Sequence, residues 1–407
     1  MFFIGGFYHW RGAPDTRCAP RWPRSVYNST FCGAAMSDRP SCASGSARIA
    51  GPRTPTAVPH GSSTNAHSTS CTDAPFIVRV FRGLPNAQSK APCVLTIGNF
   101  DGVHLGHQAL LARVRAAAAA RGLPVCVMTF EPHPREYFMP DRAPARISNL
   151  RDKFEALRSQ GVDRLVVEHF NAHFAGQSPE DFVRNIIVDG LHTRWLLVGD
   201  DFRFGAKRAG DIEYLREAGR RFDFVVEQMP TIAHDGVRIS SSEVRAALAD
   251  GNFERAHALL GRPYAITGHV VHGMKLGRKL GYPTLNLRIA HKHPALTGIF
   301  VVQVHGLADK PLPAVASLGL RPTVDDSGRV LLEVHLLDFA GNCYGKLVRV
   351  EFLQKLRDEA KFDGLAELEA AIAQDTREAR AYFAHALDAN GPSARRDFAT
   401  SATDRIS

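Results

Sequence analysis

Two histidines three residues apart, His104 and His107, stand at the start of an expected helix, where both imidazoles can face one ligand. They end the stretch Thr96-Ile97-Gly98-Asn99-Phe100-Asp101-Gly102-Val103-His104-Leu105-Gly106-His107, which follows an apolar run and opens that helix. At such a junction backbone N–H groups and the helix dipole point at an anion, and Gly102 and Gly106 leave room for a nucleotide against the backbone. The reaction suited to this arrangement is attack of a phosphate oxygen on the α-phosphorus of ATP. Positioning and charge stabilisation carry it, so donors aimed at the α-phosphate suffice without a covalent nucleophile. Taken alone, His104-Leu105-Gly106-His107 also reads as helix-capping or surface histidines.

Further along, Gly268-His269-Val270-Val271-His272-Gly273-Met274-Lys275-Leu276-Gly277-Arg278 joins glycines and basic residues in a loop fit to fold over phosphates. Its spacing approaches a P-loop. Met274 stands where Lys is required, however, and no Ser or Thr follows Lys275, so it is not a Walker motif. In Leu332-Glu333-Val334-His335 strand alternation puts Glu333 and His335 on one face, where a carboxylate is by default solvated. Ile239-Ser240-Ser241-Ser242 with Arg245 one turn on makes an anion cradle, or a plain Ser N-cap beside a solvated Arg.

The elements that must position these groups follow from periodicity. Apolar runs at 76–81, 93–97, 125–130, 163–168, 194–198 and 222–227 predict strands, and 106–121, 149–160, 178–189 and 211–220 predict helices between them. Strands alternating with helices at this spacing predict a parallel, Rossmann-like sheet over 76–261, with ligands at the carboxyl ends of its strands. From 262 the pattern turns all-β, with apolar runs at 263–271, 299–304, 312–318, 330–337 and 346–353. That predicts a small antiparallel β-barrel within 262–390, closed by a helix over 364–387 and followed by a flexible tail at 391–407.

Residues 1–75 are rich in Ser, Thr, Pro, Gly, Ala and Arg, show no sustained periodicity, and are expected to be disordered. An organellar transit peptide and an upstream extension of the reading frame, with Met36 as a later start, are the other readings of this segment. The net charge of +9 is concentrated there: seven Arg against Asp15 and Asp38 leave +5 in residues 1–70 and +4 for the rest. So mild a balance suits polyphosphate ligands and does not call for nucleic acid. No apolar run is long enough to span a bilayer, and the seven cysteines form no CxxC pair, which points away from a zinc site or disulfide framework. A cytoplasmic monomer or weak homo-oligomer is expected.

The stretch Gly98–Gln108 resembles the nucleotidylyltransferase superfamily, and in full the FMN adenylyltransferase module of bacterial bifunctional riboflavin kinase/FAD synthetases. Thr129-Phe130-Glu131-Pro132-His133-Pro134, Val198-Gly199-Asp200-Asp201-Phe202-Arg203-Phe204-Gly205 and Ile239–Arg245 match that family in order. The family usually has Ser-Ser-Thr where this chain has Ser240-Ser241-Ser242. The resemblance implies that Gly98, Asn99, Phe100, Gly106 and Asp201 border ATP, that Ser241, Ser242 and Arg245 hold its phosphates, and that His104 and His107 are catalytic. Glu131 and His133, flanked by prolines, then belong to a rigid loop near the flavin rather than to a metal site.

Gly277-Arg278-Lys279-Leu280-Gly281-Tyr282-Pro283-Thr284-Leu285-Asn286 is similar to the riboflavin kinase signature, with Leu285 where the family usually has Ala. The resemblance implies ATP contacts at Gly277 and Arg278, Mg²⁺ on Thr284 and Asn286, and Glu333 as the base toward riboflavin's 5′-hydroxyl. It also puts the flavin near Arg357 and Phe362, although core packing is the default for such a Phe. Riboflavin, FMN and ATP are the expected substrates. Two rival readings are a different nucleotidylyltransferase with an unrelated β domain and a non-catalytic flavin carrier on the same fold. The presence of Thr284, Asn286 and Glu333 speaks against the first, and of those three with both histidines against the second.

Overall fold

The computed structural model describes residues 77–230, 233–234, 237–273, 281–289, 291, 293–320 and 330–389. The expectations for residues 1–75, for the tail, and for Gly277 and Arg278 lie outside the described residues.

The first half runs β1 (Arg79–Arg82), β2 (Cys93–Ile97), α1 (Leu105–Arg121), β3 (Val125–Glu131), α2 (Pro134–Phe138), α3 (Leu150–Ser159) and β4 (Arg164–His169). It continues through α4 (Ala172–Ala175), α5 (Pro179–Asp181), which leads into a π-helical stretch Phe182–Val188, then β5 (Thr193–Gly199), α6 (Ile212–Phe222) and β6 (Val225–Met229). The six strands form one parallel sheet in the order β1-β4-β3-β2-β5-β6. Every residue of β2 is buried, as expected for a strand covered on both faces. Its alternation feeds two cores. Cys93, Leu95 and Ile97 pack with Phe170, Phe182 and Ile187 on one side, and Val94 packs with Leu111, Val114 and Leu157 on the other. From β2 the chain proceeds to one side through β3 and later returns to the other at β5. The crevice of this sheet therefore opens beyond the carboxyl ends of β2 and β5.

After a two-stranded ribbon, β7 (Ala233–His234) and β8 (Val237–Arg238), come α7 (Ser241–Ala249) and α8 (Phe253–Leu260). Then β9 (Ala265–Val271), β10 (Thr284–Arg288), β11 (Gly298–His305), β12 (Leu312–Leu320), β13 (Val330–Leu336) and β14 (Leu347–Arg357) close an antiparallel barrel in the order β10-β13-β12-β11-β14-β9. Leu285, Leu287, Phe300, Val302, Val334 and Phe352 fill it, and Val244, Leu248 and Leu260 of α7 and α8 belong to the same cluster. Packing is thus continuous across the point where the chain changes from helix to strand. The closing helix α9 (Leu365–Ala389) lies on the outside of the barrel, where Ala379, Tyr382 and Phe383 meet Val301 and Leu337. The α/β sheet, the closed barrel and the terminal helix all match the expected fold class. Among the described residues no helix is long and apolar enough to cross a membrane.

Candidate functional site

The turn from β2 into α1 is held in an uncommon backbone shape. Phe100, Gly102 and Val103 all have positive φ (47°, 82° and 42°), which for Phe and Val is a strained conformation. Three sets of contacts impose it. The ring of Phe100 is buried beside His107, with centroids 5.0 Å apart. A Cβ on Gly102 would meet Ile147 Cγ2 at 2.9 Å. The carbonyl oxygens of Gly102 and Val103 accept from the Arg262 guanidinium at 2.6 and 3.1 Å.

The imidazoles of His104 and His107 stack with centroids 3.7 Å apart. His104 is the N-cap of α1, its Nδ1 accepting from the His107 backbone N–H at 3.3 Å. The cap occupies one ring nitrogen and leaves the other for a further partner, so capping does not exclude a catalytic role. Burial, with the Arg245 and Arg262 charges nearby, brings the His104 pKa down to about 4 against the opposing pull of Asp101. Burial, then His104 and Lys153, hold His107 well below its ordinary value. Both rings are neutral near pH 7. With Nδ1 of His104 accepting, its proton sits on Nε2, a donor for an anionic oxygen. A side chain on Gly106 would press on this ring, its Cβ lying 3.1 Å from His104 Nδ1.

Beneath the turn lies a buried polar network that the motif alone did not reveal. Asp101, 1% exposed, accepts from the backbone N–H groups of Ile147 and Ser148, from Ser148 Oγ, and from Arg245 Nη2 at 2.7 Å. Burial alone would raise its carboxyl. Arg245, Lys153 and the two backbone donors outweigh that and keep it below its ordinary range. Arg245 thus faces the turn but is already paired. Ser240 takes the N-cap of α7, accepting from Glu243 N–H at 3.3 Å, which frees its neighbours from capping. Ser241 Oγ donates to the Asp101 carbonyl, and Ser242 is exposed. Asp201, on the loop after β5, has its side chain 82% exposed and 3.8 Å from Arg238. Gly98 and Asn99 lie at the end of β2, the Asn99 carbonyl accepting from Thr129 Oγ1 at 3.1 Å. On the adjoining loop Arg146 bridges Glu131 and Glu136, so Glu131 is an ion-pair partner. His133 caps α2.

A second group of polar side chains lies on the barrel, away from its apolar interior. The register pairs Asn286 with Glu333 and Glu333 with Ser317, so three adjacent strands present these side chains in one row. Thr284 pairs with His335, whose ring lies 3.0 Å from the Pro283 carbonyl through Nδ1. Asn286 is 4% exposed, and its Oδ1 has no hydrogen-bond partner among the described residues. The backbone of Gly273 lies against this amide: a Cβ there would be 2.3 Å from Asn286 Nδ2.

Arg357, at the end of β14, forks onto Asp375 of α9 at 2.9 and 2.8 Å and lies 5.6 Å from the half-buried Phe362 ring. The carboxylate of Glu359 sits where a Cβ on Gly319 would be, two residues along β12 from Ser317. No group of three or more His, Cys, Asp or Glu able to hold a metal occurs among the described residues.

These two groups fall in regions that separate protein families describe. A profile of the FAD synthetase family matches residues 86–243, and one of the riboflavin kinase family matches residues 260–383. The bifunctional riboflavin kinase/FMN adenylyltransferase of Escherichia coli K12 is 47% identical over 309 residues, covering 75% of this chain and 98% of that protein. The Pseudomonas fluorescens protein of the same name is 48% identical over 305 residues, covering 75% and 97%. A crystal structure described as a macrolide-efflux protein from Streptococcus pneumoniae is 30% identical with a TM-score of 0.57, covering 75% of this chain and 99% of that one. The chain therefore belongs to the bifunctional riboflavin kinase/FMN adenylyltransferase family.

Proposed function

We propose that the two activities of this family are divided between the two groups of residues: adenylyl transfer at the turn before α1 and phosphoryl transfer on the barrel. The stacked, neutral pair His104 and His107 at a helix N-terminus is the observation that carries the first assignment. There an oxygen of the FMN phosphate attacks the α-phosphorus of ATP, the bond to the bridging oxygen breaks, and pyrophosphate leaves. His104 Nε2–H and His107 donate to the oxygens of that phosphorus, where charge accumulates. Gly98, Asn99, Phe100 and Gly106 give the turn its shape. Asp201 borders the nucleotide, and Ser241, Ser242 and Arg245 face its phosphates. The exposed Tyr137, Phe138 and Met139, next to the Glu131–His133 loop, suit the flat flavin of FMN.

On the barrel, Glu333 accepts the proton of riboflavin's 5′-hydroxyl as that oxygen attacks the γ-phosphorus of ATP and ADP leaves. Thr284 and Asn286 are hard oxygen donors, and the buried Oδ1 of Asn286, without a hydrogen-bond partner among the described residues, suits a divalent cation. Mg²⁺ bound there supplies charge neutralisation for the ATP phosphates. For Gly277 and Arg278, outside the described residues, the family resemblance alone supports a role at those phosphates, and Arg357 and Phe362 border the flavin. The cytoplasm, where ATP and Mg²⁺ are plentiful, is the compartment this reading assigns.

The direct test follows riboflavin, FMN, FAD, ADP and pyrophosphate over time with the full chain and Mg-ATP. FMN should rise and then fall as FAD and pyrophosphate accumulate; FMN that persists without pyrophosphate would refute the first assignment. A second expectation concerns Gly273→Ala. The added methyl must displace Asn286, so riboflavin phosphorylation should fall by about tenfold or more while conversion of supplied FMN to FAD stays unchanged. Initial rates with each substrate measure both.

A further inference from the structure

Lys153 is a buried cation that neither reaction above uses. It lies in the first turn of α3, is 1% exposed, and packs beside the apolar core of the sheet. Its Nζ donates to Thr129 Oγ1 at 3.4 Å, and the Thr129 hydroxyl donates to the Asn99 carbonyl at 3.1 Å. A lysine relay therefore reaches the first residues of the strained turn that bears His104. Thr129 is the one hydrogen-bond partner of the ammonium among the described residues, and that contact is long. The carboxylates around it are engaged elsewhere: Asp101 with Arg245 and Ser148, Glu131 and Glu136 with Arg146. Burying an ammonium with most of its donors unfilled is costly, and such a group is rarely retained for packing alone.

We infer that Lys153 is a positioning residue of the adenylyl-transfer site: through Thr129 it fixes the Asn99–His104 turn, and its ammonium places positive charge beneath the phosphates gathered there. The inference rests on assigning adenylyl transfer to the His104–His107 pocket. The groups facing the ammonium are Asp101, Glu131 and Glu136, which favour its charge, Arg146, which opposes it, and the imidazoles of His107 and His133, which are neutral near pH 7. Burial is the largest influence and brings its pKa down to about 8, so the charge is present below that pH and is lost as pH rises through it.

The test uses the full chain as wild type, Lys153→Met and Lys153→Arg, with riboflavin phosphorylation and FMN adenylylation measured separately across roughly pH 6 to 10. Lys153→Met should lower kcat for FAD formation by about 100-fold, change the KM for ATP by less than about threefold, and leave FMN formation intact. The wild-type adenylylation rate should decline through about pH 8. Lys153→Arg, whose guanidinium stays charged, should recover much of the rate and lose that decline. Adenylylation retained by Lys153→Met, equal loss of both activities, or an alkaline decline shared by wild type and Lys153→Arg would each overturn the inference. His104→Ala measured alongside separates the two readings: if it still makes FAD, the pocket assignment itself fails, whatever Lys153 does.

Discussion

Glu333→Gln should stop FMN formation from riboflavin almost completely, by about 10³-fold or more, while leaving conversion of supplied FMN to FAD at the wild-type rate. An alcohol is a poor nucleophile until its proton is taken, and a positioned general base contributes on the order of 10² to 10⁴ in rate. Glutamine preserves the shape of the side chain but cannot accept that proton. The register places residue 333 between Asn286 and Ser317, so the proposed base stands next to the proposed cation ligand. Neighbouring Val334 and Leu332 point into the barrel and are untouched by the change, so the fold should persist. Initial rates with riboflavin and then with FMN measure the two outcomes. A Glu333→Gln protein that phosphorylates riboflavin within about tenfold of wild type would remove the base from the account.

His104→Ala should have the mirror-image effect. Losing a donor aimed at the reacting phosphorus costs about 10² to 10³ in rate, and His104 also seats its stacked neighbour His107, so the loss should lie at the upper end. The substitution removes an N-cap as well, at a cost of about 1 kcal/mol in helix stability. His104→Asn separates the two effects. Asn is a good N-cap that can satisfy the His107 N–H, yet it is too short to present a donor where Nε2 stands. Both variants should fail at adenylylation, both should accumulate FMN from riboflavin, and only His104→Ala should melt at a lower temperature. Burial holds His104 neutral down to about pH 4, so its role should not generate an acid limb near neutrality in the rate of FAD formation.

Most of the architecture was legible because parallel strands buried on both faces leave unbroken apolar runs, as in Cys93–Ile97. The histidine pair was legible because one turn of helix contains it. Thr284–Arg288 leaves no such run, because its polar residues alternate outward from the barrel, and only its motif marked it as a strand. The expected helix over 178–189 is one turn of α5 followed by a π-helical stretch, a difference of hydrogen-bond register that composition does not encode. The expected strand over 222–227 begins instead at Val225, since α6 runs to Phe222 and Asp223 ends it in a left-handed conformation. What local pattern could not supply was the support of the turn. Asp101 meets Ser148 and Arg245 at separations of 47 and 144 residues, and Arg262 reaches Gly102 across 160. In the sequence Lys153 resembles any other charge on an amphipathic helix. Only folding turns it inward.

The division of labour between two independent sites is tested most directly by mixing Glu333→Gln and His104→Ala proteins with riboflavin and Mg-ATP. Neither variant alone should make appreciable FAD: one lacks the supply of FMN and the other cannot consume it. Together they should restore FAD synthesis, with FMN released by one protein serving as substrate for the other. FAD production from riboflavin by either variant alone, or a mixture that stays inactive while each protein keeps its single remaining activity, would contradict the account.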